Sequence, residues 1–258
     1  MLAIINNGTV DFFDEKKCCG TYHFEDPFKS FFNPLFTPSG KNLVAPAPKN
    51  HPHHKGLQFG LCATNGNFWE ESKSAEGPEY QYPIGRQRTT ALTLLDAAFG
   101  TGFQQDIVWE TNTTVLFNER RDVSVTKEIN AYQWVWRTQL IALQDMDLVK
   151  TVWAGSPGYY GLGLRLAEDY FKDGKKFPDN IKNGDARPII KFQGDDVAVT
   201  FEQSATQADT AFIFTFQDNP EDPFAFISLG PTNNIKQPQP LQQGEILERA
   251  YTIKVSET

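Results

Sequence analysis

The stretch Gln133-Trp134-Val135-Trp136-Arg137-Thr138-Gln139-Leu140 decides the fold class. Trp134, Trp136, Thr138 and Leu140 fall on one side of an extended chain, and Gln133, Val135, Arg137 and Gln139 on the other. Side chains alternate across a strand, so this spacing predicts a half-buried strand of an antiparallel sheet. The same period recurs at Val123 and Val125, at Leu162, Leu164 and Leu166, and at Val197, Val199 and Phe201. It returns at Phe212, Phe214 and Phe216 and at Tyr251, Ile253 and Val255. Turn chemistry separates the runs: Pro38-Ser39-Gly40, Asn65-Gly66-Asn67, Asp173-Gly174, Asn183-Gly184-Asp185, Gln217-Asp218-Asn219-Pro220 and Gln243-Gly244. No long segment has a period of 3.6. Thr89 to Phe99 contains helix formers but also reads as a strand. The expectation is an all-β chain, one large antiparallel β-sandwich domain over residues 1–258. No repeat of fixed period points to a propeller or a solenoid.

Composition narrows the partners. Twenty-one Phe and five Trp against two Met predict a core built from rings. A net charge of −8 with no long Lys/Arg run argues against nucleic acid or an anionic membrane as partner. No apolar run reaches the roughly 18 residues needed to span a bilayer. Met1 to Asn7 lacks the basic start and long apolar stretch of a signal peptide, which leaves a mature secreted form open. Cys18, Cys19 and Cys62 are odd in number and two are adjacent. That favours reduced thiols and a cytoplasmic location over a disulfide framework.

Three of the four histidines lie in Asn50-His51-Pro52-His53-His54-Lys55-Gly56, within the Pro- and Asn-rich stretch from Thr37 to Lys55. Histidine titrates near neutrality and is the commonest metal ligand, so His51, His53 and His54 are the candidate catalytic residues. On an extended backbone His51 and His53 would share one side and His54 would take the other. His51 and His53 could then chelate a divalent metal, although no Glu follows at short spacing and the nearest acids are Glu70 and Glu71. Lys55 could hold an anionic group. Gly56 allows a tight exit into a buried strand at Leu57-Gln58-Phe59-Gly60-Leu61. The alternative to chemistry is a hydrogen-bonded lock of the loop.

The order of residues resembles a known family. Tyr22-His23-Phe24 precedes Phe32-Asn33-Pro34-Leu35-Phe36-Thr37-Pro38-Ser39-Gly40, then His51-Pro52-His53-His54-Lys55-Gly56-Leu57 and Asn65-Gly66-Asn67-Phe68-Trp69. This is similar to the PmoA-like family, whose pattern has H-P-H-H, a basic residue and then G-L. Departures are Gln58 and Asn67, where the pattern has Trp and Asp, and a distal Asp218-Asn219-Pro220 followed by Phe224-Ala225-Phe226. The resemblance implies a supersandwich of the galactose-mutarotase type and a small-molecule or oligosaccharide substrate. It does not carry over the membrane-bound oxygenase chemistry of the family's label.

Other groups are weaker candidates. Arg165 sits between Leu164 and Leu166, and an Arg inside a strand needs an acidic or anionic partner, such as Glu168, Asp169 or substrate. Arg86 and Arg88 share a strand face and could grip a uronate, or could be an exposed edge. Trp69 and Trp109 could stack on sugars. Asp106 and Glu110 are the candidate carboxylate pair for hydrolysis. No dinucleotide fingerprint, Walker loop, Gly-x-Ser-x-Gly elbow or Cys-x-x-Cys is present. The leading expectation is a cofactor-free lyase or epimerase acting on a sugar or sugar acid, with Lys55, Arg86, Arg165 and Trp69 binding substrate. The rivals are a non-catalytic sugar-binding module and a metal-dependent enzyme.

Overall fold

In the computed structural model the chain is built from strands. The structure describes residues 1–45, 47, 51–71, 82–95, 100–149, 152–153, 156–157, 161–170, 186–187, 189–193, 197–204, 210–215, 225–230 and 238–258. The turns expected at Asp173-Gly174, Asn183-Gly184-Asp185 and Gln217 to Pro220, together with Phe216, Phe224 and Asp96 to Phe99, lie outside the described residues.

The first strands are β1 (Leu2–Asn6), β2 (Thr9–Asp14), β3 (Lys17–His23), β4 (Phe31–Leu35) and β5 (Leu57–Gly60). Two short strands, β6 (Cys62–Ala63) and β7 (Gly66–Asn67), precede the long β8 (Arg86–Leu94), β9 (Thr101–Glu110), β10 (Val115–Glu128) and β11 (Ala131–Ala142). Next come β12 (Met146–Leu148), β13 (Val152–Trp153), β14 (Ser156–Pro157), β15 (Gly161–Arg165) and β16 (Ala186–Arg187). The last are β17 (Ile189–Gln193), β18 (Ala198–Gln203), β19 (Thr210–Thr215), β20 (Ala225–Gly230), β21 (Gln239–Leu241) and β22 (Ile246–Ser256). The segment Thr89 to Phe99 resolves as strand where it is described, in β8. Among the described residues the one helical element is a 3-10 turn at Glu168–Tyr170, and no helix is long and apolar enough to cross a membrane.

Two large antiparallel sheets form a sandwich. One has nine strands in the order β1-β2-β3-β4-β5-β15-β20-β19-β16. The other has seven, β17-β18-β22-β11-β10-β9-β8. The alternation that predicted β11 is its burial pattern: Tyr132, Trp134, Trp136, Thr138 and Leu140 are buried, with Gln133, Val135, Arg137 and Gln139 more open. Aromatic rings join the two layers. Phe12 of β2 lies 5.1 Å edge-on to Trp134 and 6.1 Å from Phe103 of β9. Phe32 of β4 meets Trp134 at 5.1 Å, and Phe59 of β5 lies 6.0 Å from Trp109. Rings bury large apolar areas, and edge-on pairs add roughly 0.5–1.5 kcal/mol beyond burial. All three cysteines are free thiols; burial pushes Cys19 up to about 12, so it stays protonated.

β15 departs from simple alternation. All five of its residues are buried, because it lies mid-sheet between β5 and β20 with both faces covered. Arg165 is therefore taken inside rather than turned to solvent, at 2% exposure. Gly163 of the same strand has no room for a side chain: a Cβ would lie 2.4 Å from the Phe226 ring and 2.8 Å from the Trp69 ring.

Candidate functional site

The three clustered histidines come together, but on a turn rather than an extended segment. His54 N–H donates to the His51 carbonyl at 2.9 Å, closing a four-residue turn with Pro52 at its second position. Proline's fixed φ favours that position, which is why the extended reading of this segment fails. The turn brings His54 back to the side of His51. Their rings stack at 5.0 Å and 18°, and His53 meets His54 edge-on at 4.4 Å. His54 also stacks on Phe226 of β20 at 4.6 Å and 26°. His54 is fully buried, His53 is 9% exposed and His51 is half-buried. Gly56 has φ +96°, and a Cβ there would lie 2.2 Å from the Phe32 carbonyl, so only glycine fits this exit into β5.

Partners assign the ring protons. Nη1 of Arg165 lies 3.1 Å from Nδ1 of His54. A guanidinium can only donate, so Nδ1 accepts and the neutral ring carries its proton on Nε2. Nδ1 of His53 lies 3.2 Å from Oε2 of Glu70. A carboxylate can only accept, so His53 carries its proton on Nδ1 and keeps a lone pair on the buried Nε2. Among the described residues that Nε2 has no hydrogen-bond partner. Burial favours the neutral form of both rings. Burial pushes His53 well below the usual 6.5, helped by Lys29, His51, Arg165 and Lys55. Burial does the same to His54, helped by His53 and Arg165.

Two lysines brace the corner. Lys29, fully buried between β3 and β4, donates to the Trp69 carbonyl, reaches the His53 carbonyl at 3.3 Å and pairs with Glu71 at 3.3 Å. Its pKa is lowered by burial, against the pull of Glu71 and Glu70. Lys55 lies 2.8 and 2.7 Å from the two oxygens of Asp26 and 2.9 Å from Glu71. Glu71 thus bridges the two ammonium groups and ties the β3–β4 connection to the histidine turn.

Several expectations need correction. Lys55 is not offered to a ligand: three carboxylate oxygens engage its three N–H groups. Trp69 is 1% exposed, T-shaped to Phe226 at 5.7 Å, so it is core rather than a sugar platform, and Trp109 is equally buried. Arg86 and Arg88 both hold Glu110, at 2.7 and 3.0 Å, on the exposed face of β8. Glu110 thus answers one of the two guanidinium charges and is itself held in an ion pair. Arg165 meets an imidazole, while Glu168 and Asp169 are exposed. Among the described residues no group of three His, Cys, Asp or Glu is arranged to hold a metal ion.

Sequence reasoning missed Lys29, Asp26 and the role of Glu70. Lys29 did carry a signal: a lone cation in Phe28-Lys29-Ser30-Phe31-Phe32, the same kind of signal that singled out Arg165. Glu70 had none, because its link to His53 spans three strands.

Comparisons with known proteins add the family. No curated protein matches the chain. Among solved structures it is similar to the galactosidase domain of the α-galactosidase–sucrose kinase AgaSK, with 9% identity and a TM-score of 0.42 over 99% of this chain and 41% of that one. It is similar to the GH36 α-galactosidase AgaB from Geobacillus stearothermophilus, with 10% identity and a TM-score of 0.45 over 100% and 41%. The α-galactosidase from Lactobacillus brevis gives 10% identity and 0.41 over 100% and 39%. The chain spans about two-fifths of the length of these proteins, and scores of this size carry no conclusion about activity. The resemblance to the PmoA-like family does not hold, because the family model that matches, over residues 10–258, is a different one. The chain belongs to that family, DUF6807, a family of unknown function.

Proposed function

We propose that this chain is a carbohydrate-active enzyme of the lyase or epimerase type, with His53 as general base and His54 as general acid. One observation carries the reading: Arg165 faces Nδ1 of His54 while Glu70 faces Nδ1 of His53, which assigns opposite tautomers to two neighbouring imidazoles. A base and an acid side by side suit a reaction that takes a proton from one atom of a small molecule while giving one to an adjacent oxygen. A sugar offers such pairs at its carbonyl or hemiacetal carbon. His53 Nε2 would take the C–H or O–H proton, His54 Nε2–H would supply the oxygen, and Glu70 would stabilise the imidazolium formed, as a carboxylate does behind a catalytic histidine.

The test is proton exchange from aldoses and ketoses in D2O followed by NMR, with His53→Gln and His54→Gln beside the wild type. We expect exchange that falls by at least about a hundredfold in His53→Gln, within the usual range for a general base. Imidazole 15N shifts report the two tautomers directly. Equal tautomers, or exchange unchanged by His53→Gln, would overturn the proposal. The complete burial of His54 favours one other reading, a polar lock of the turn. It predicts that both variants lose stability and that the wild type exchanges nothing.

A further inference from the structure

Resting on the acid–base reading of the histidine corner, we infer that the substrate there is an uncharged polyhydroxy compound, a neutral sugar, and not a sugar acid or a sugar phosphate. The two lysines that would recognise an anion are already answered. Lys29 has three N–H groups and three acceptors, the carbonyls of His53 and Trp69 and the Glu71 carboxylate. Lys55 has three N–H groups and three carboxylate oxygens, from Asp26 and Glu71. Arg165 is buried and gives one of its N–H groups to His54 Nδ1. Among the described residues of the corner, three cations therefore stand against Asp26, Glu70 and Glu71. With both buried imidazoles neutral, the corner offers no net positive charge to an incoming anion. A carboxylate or phosphate entering would have to break an existing ion pair or stay unpaired in a buried place, and both are costly.

Two uncharged nitrogens of the corner are also left over. His53 Nε2 and Gln58 Nε2 are buried nitrogens with no partner among the described residues. Gln58 is fully buried on β5, and its Oε1 accepts the Lys55 backbone N–H at 3.0 Å, which leaves its amide as a donor. His53 Nε2 needs a donor and the Gln58 amide needs an acceptor. A hydroxyl group is both at once. An ionised carboxylate has no proton to give to His53.

The experiment titrates matched pairs into the full chain, galactose against galacturonate and glucose against glucuronate, by calorimetry at two salt concentrations. Proton exchange in D2O is read on the same samples. We expect the neutral member of at least one pair to bind at least about tenfold more tightly than its acid, given the cost of burying an unpaired charge, with no salt dependence. Gln58→Leu should weaken that binding while Lys55→Met leaves the neutral-over-acid preference unchanged. Tighter binding of the acid, weakened by salt and by Lys55→Met, would overturn the inference, as would failure of every sugar to bind. An acid both preferred and exchanged would keep the acid–base reading and sink this one. A neutral sugar bound without exchange would do the reverse.

Discussion

The chain buries charge in two places, and the two are finished differently. Between the sheets, Arg121 and Glu119 form a bidentate pair at 2.8 and 2.8 Å, both on the inward face of β10. Hydrogen-bonding neighbours satisfy the pair, although the indole N–H groups of Trp134 and Trp136 have no partner among the described residues. Arg121 donates to Tyr22 Oη at 2.8 Å and to Gln87 at 3.2 Å; Tyr22 donates to Gln105 at 2.6 Å. Glu119 accepts from Trp109 at 2.6 Å and Thr138 at 2.5 Å, while the guanidinium lies 4.7 Å over the Trp136 ring. At the histidine corner the two lysines are answered just as fully, yet His53 Nε2 and Gln58 Nε2 are left over. A network that only holds a fold together closes on itself, since an unsatisfied buried polar atom costs roughly 1–3 kcal/mol. What is left over differs in kind: in the core it is the indole N–H groups of Trp134 and Trp136, and at the corner an imidazole and an amide nitrogen beside ion-paired side chains.

That contrast can be broken or sharpened by substitution. The largest effect should come from Glu119→Gln or Arg121→Met, each leaving a buried charge alone, at about 3–5 kcal/mol in chemical denaturation. Lys29→Met should follow at about 2–4 kcal/mol, because it strips two carbonyls and Glu71 of their donor. If Lys29→Met cost as little as a surface change, the corner would not be built as described.

A pH titration of stability separates the two regions further. The His53 and His54 pKa values are lowered by folding, so between the folded value and the unfolded 6.5 the unfolded chain holds more protons. Their contribution is complete above 6.5 and is lost as the pH falls from there towards the folded value. The double variant His53→Gln/His54→Gln should flatten that slope, and the Arg121–Glu119 variants should leave it intact. The smallest effect belongs to Arg88→Ala at the exposed Glu110 pair, where we expect no measurable change in the denaturation midpoint.

Much of the fold was legible along the chain. Trp134, Trp136 and Leu140, Val197 and Val199, and Ile253 and Val255 repeat every second residue, and period two has one structural meaning when one face is buried. The histidine cluster and Arg165 were legible as anomalies, polar residues where the local pattern asked for something else. Glu119 and Arg121 were not, because inward-facing charges two apart look like outward-facing ones until the register with Trp136 and Thr138 is known. Glu70 and Lys29 escaped for a related reason: each acts through a partner at least 17 positions away.

The amino-acid order by itself determined the all-β class and the apolar faces of strands such as β11, β18 and β22, because strand alternation is a local property of the backbone. Tertiary structure decided which imidazole faces Glu70, which faces Arg165, and that both lysines are already taken. Those assignments depend on distances between strands, and no spacing along the chain encodes them.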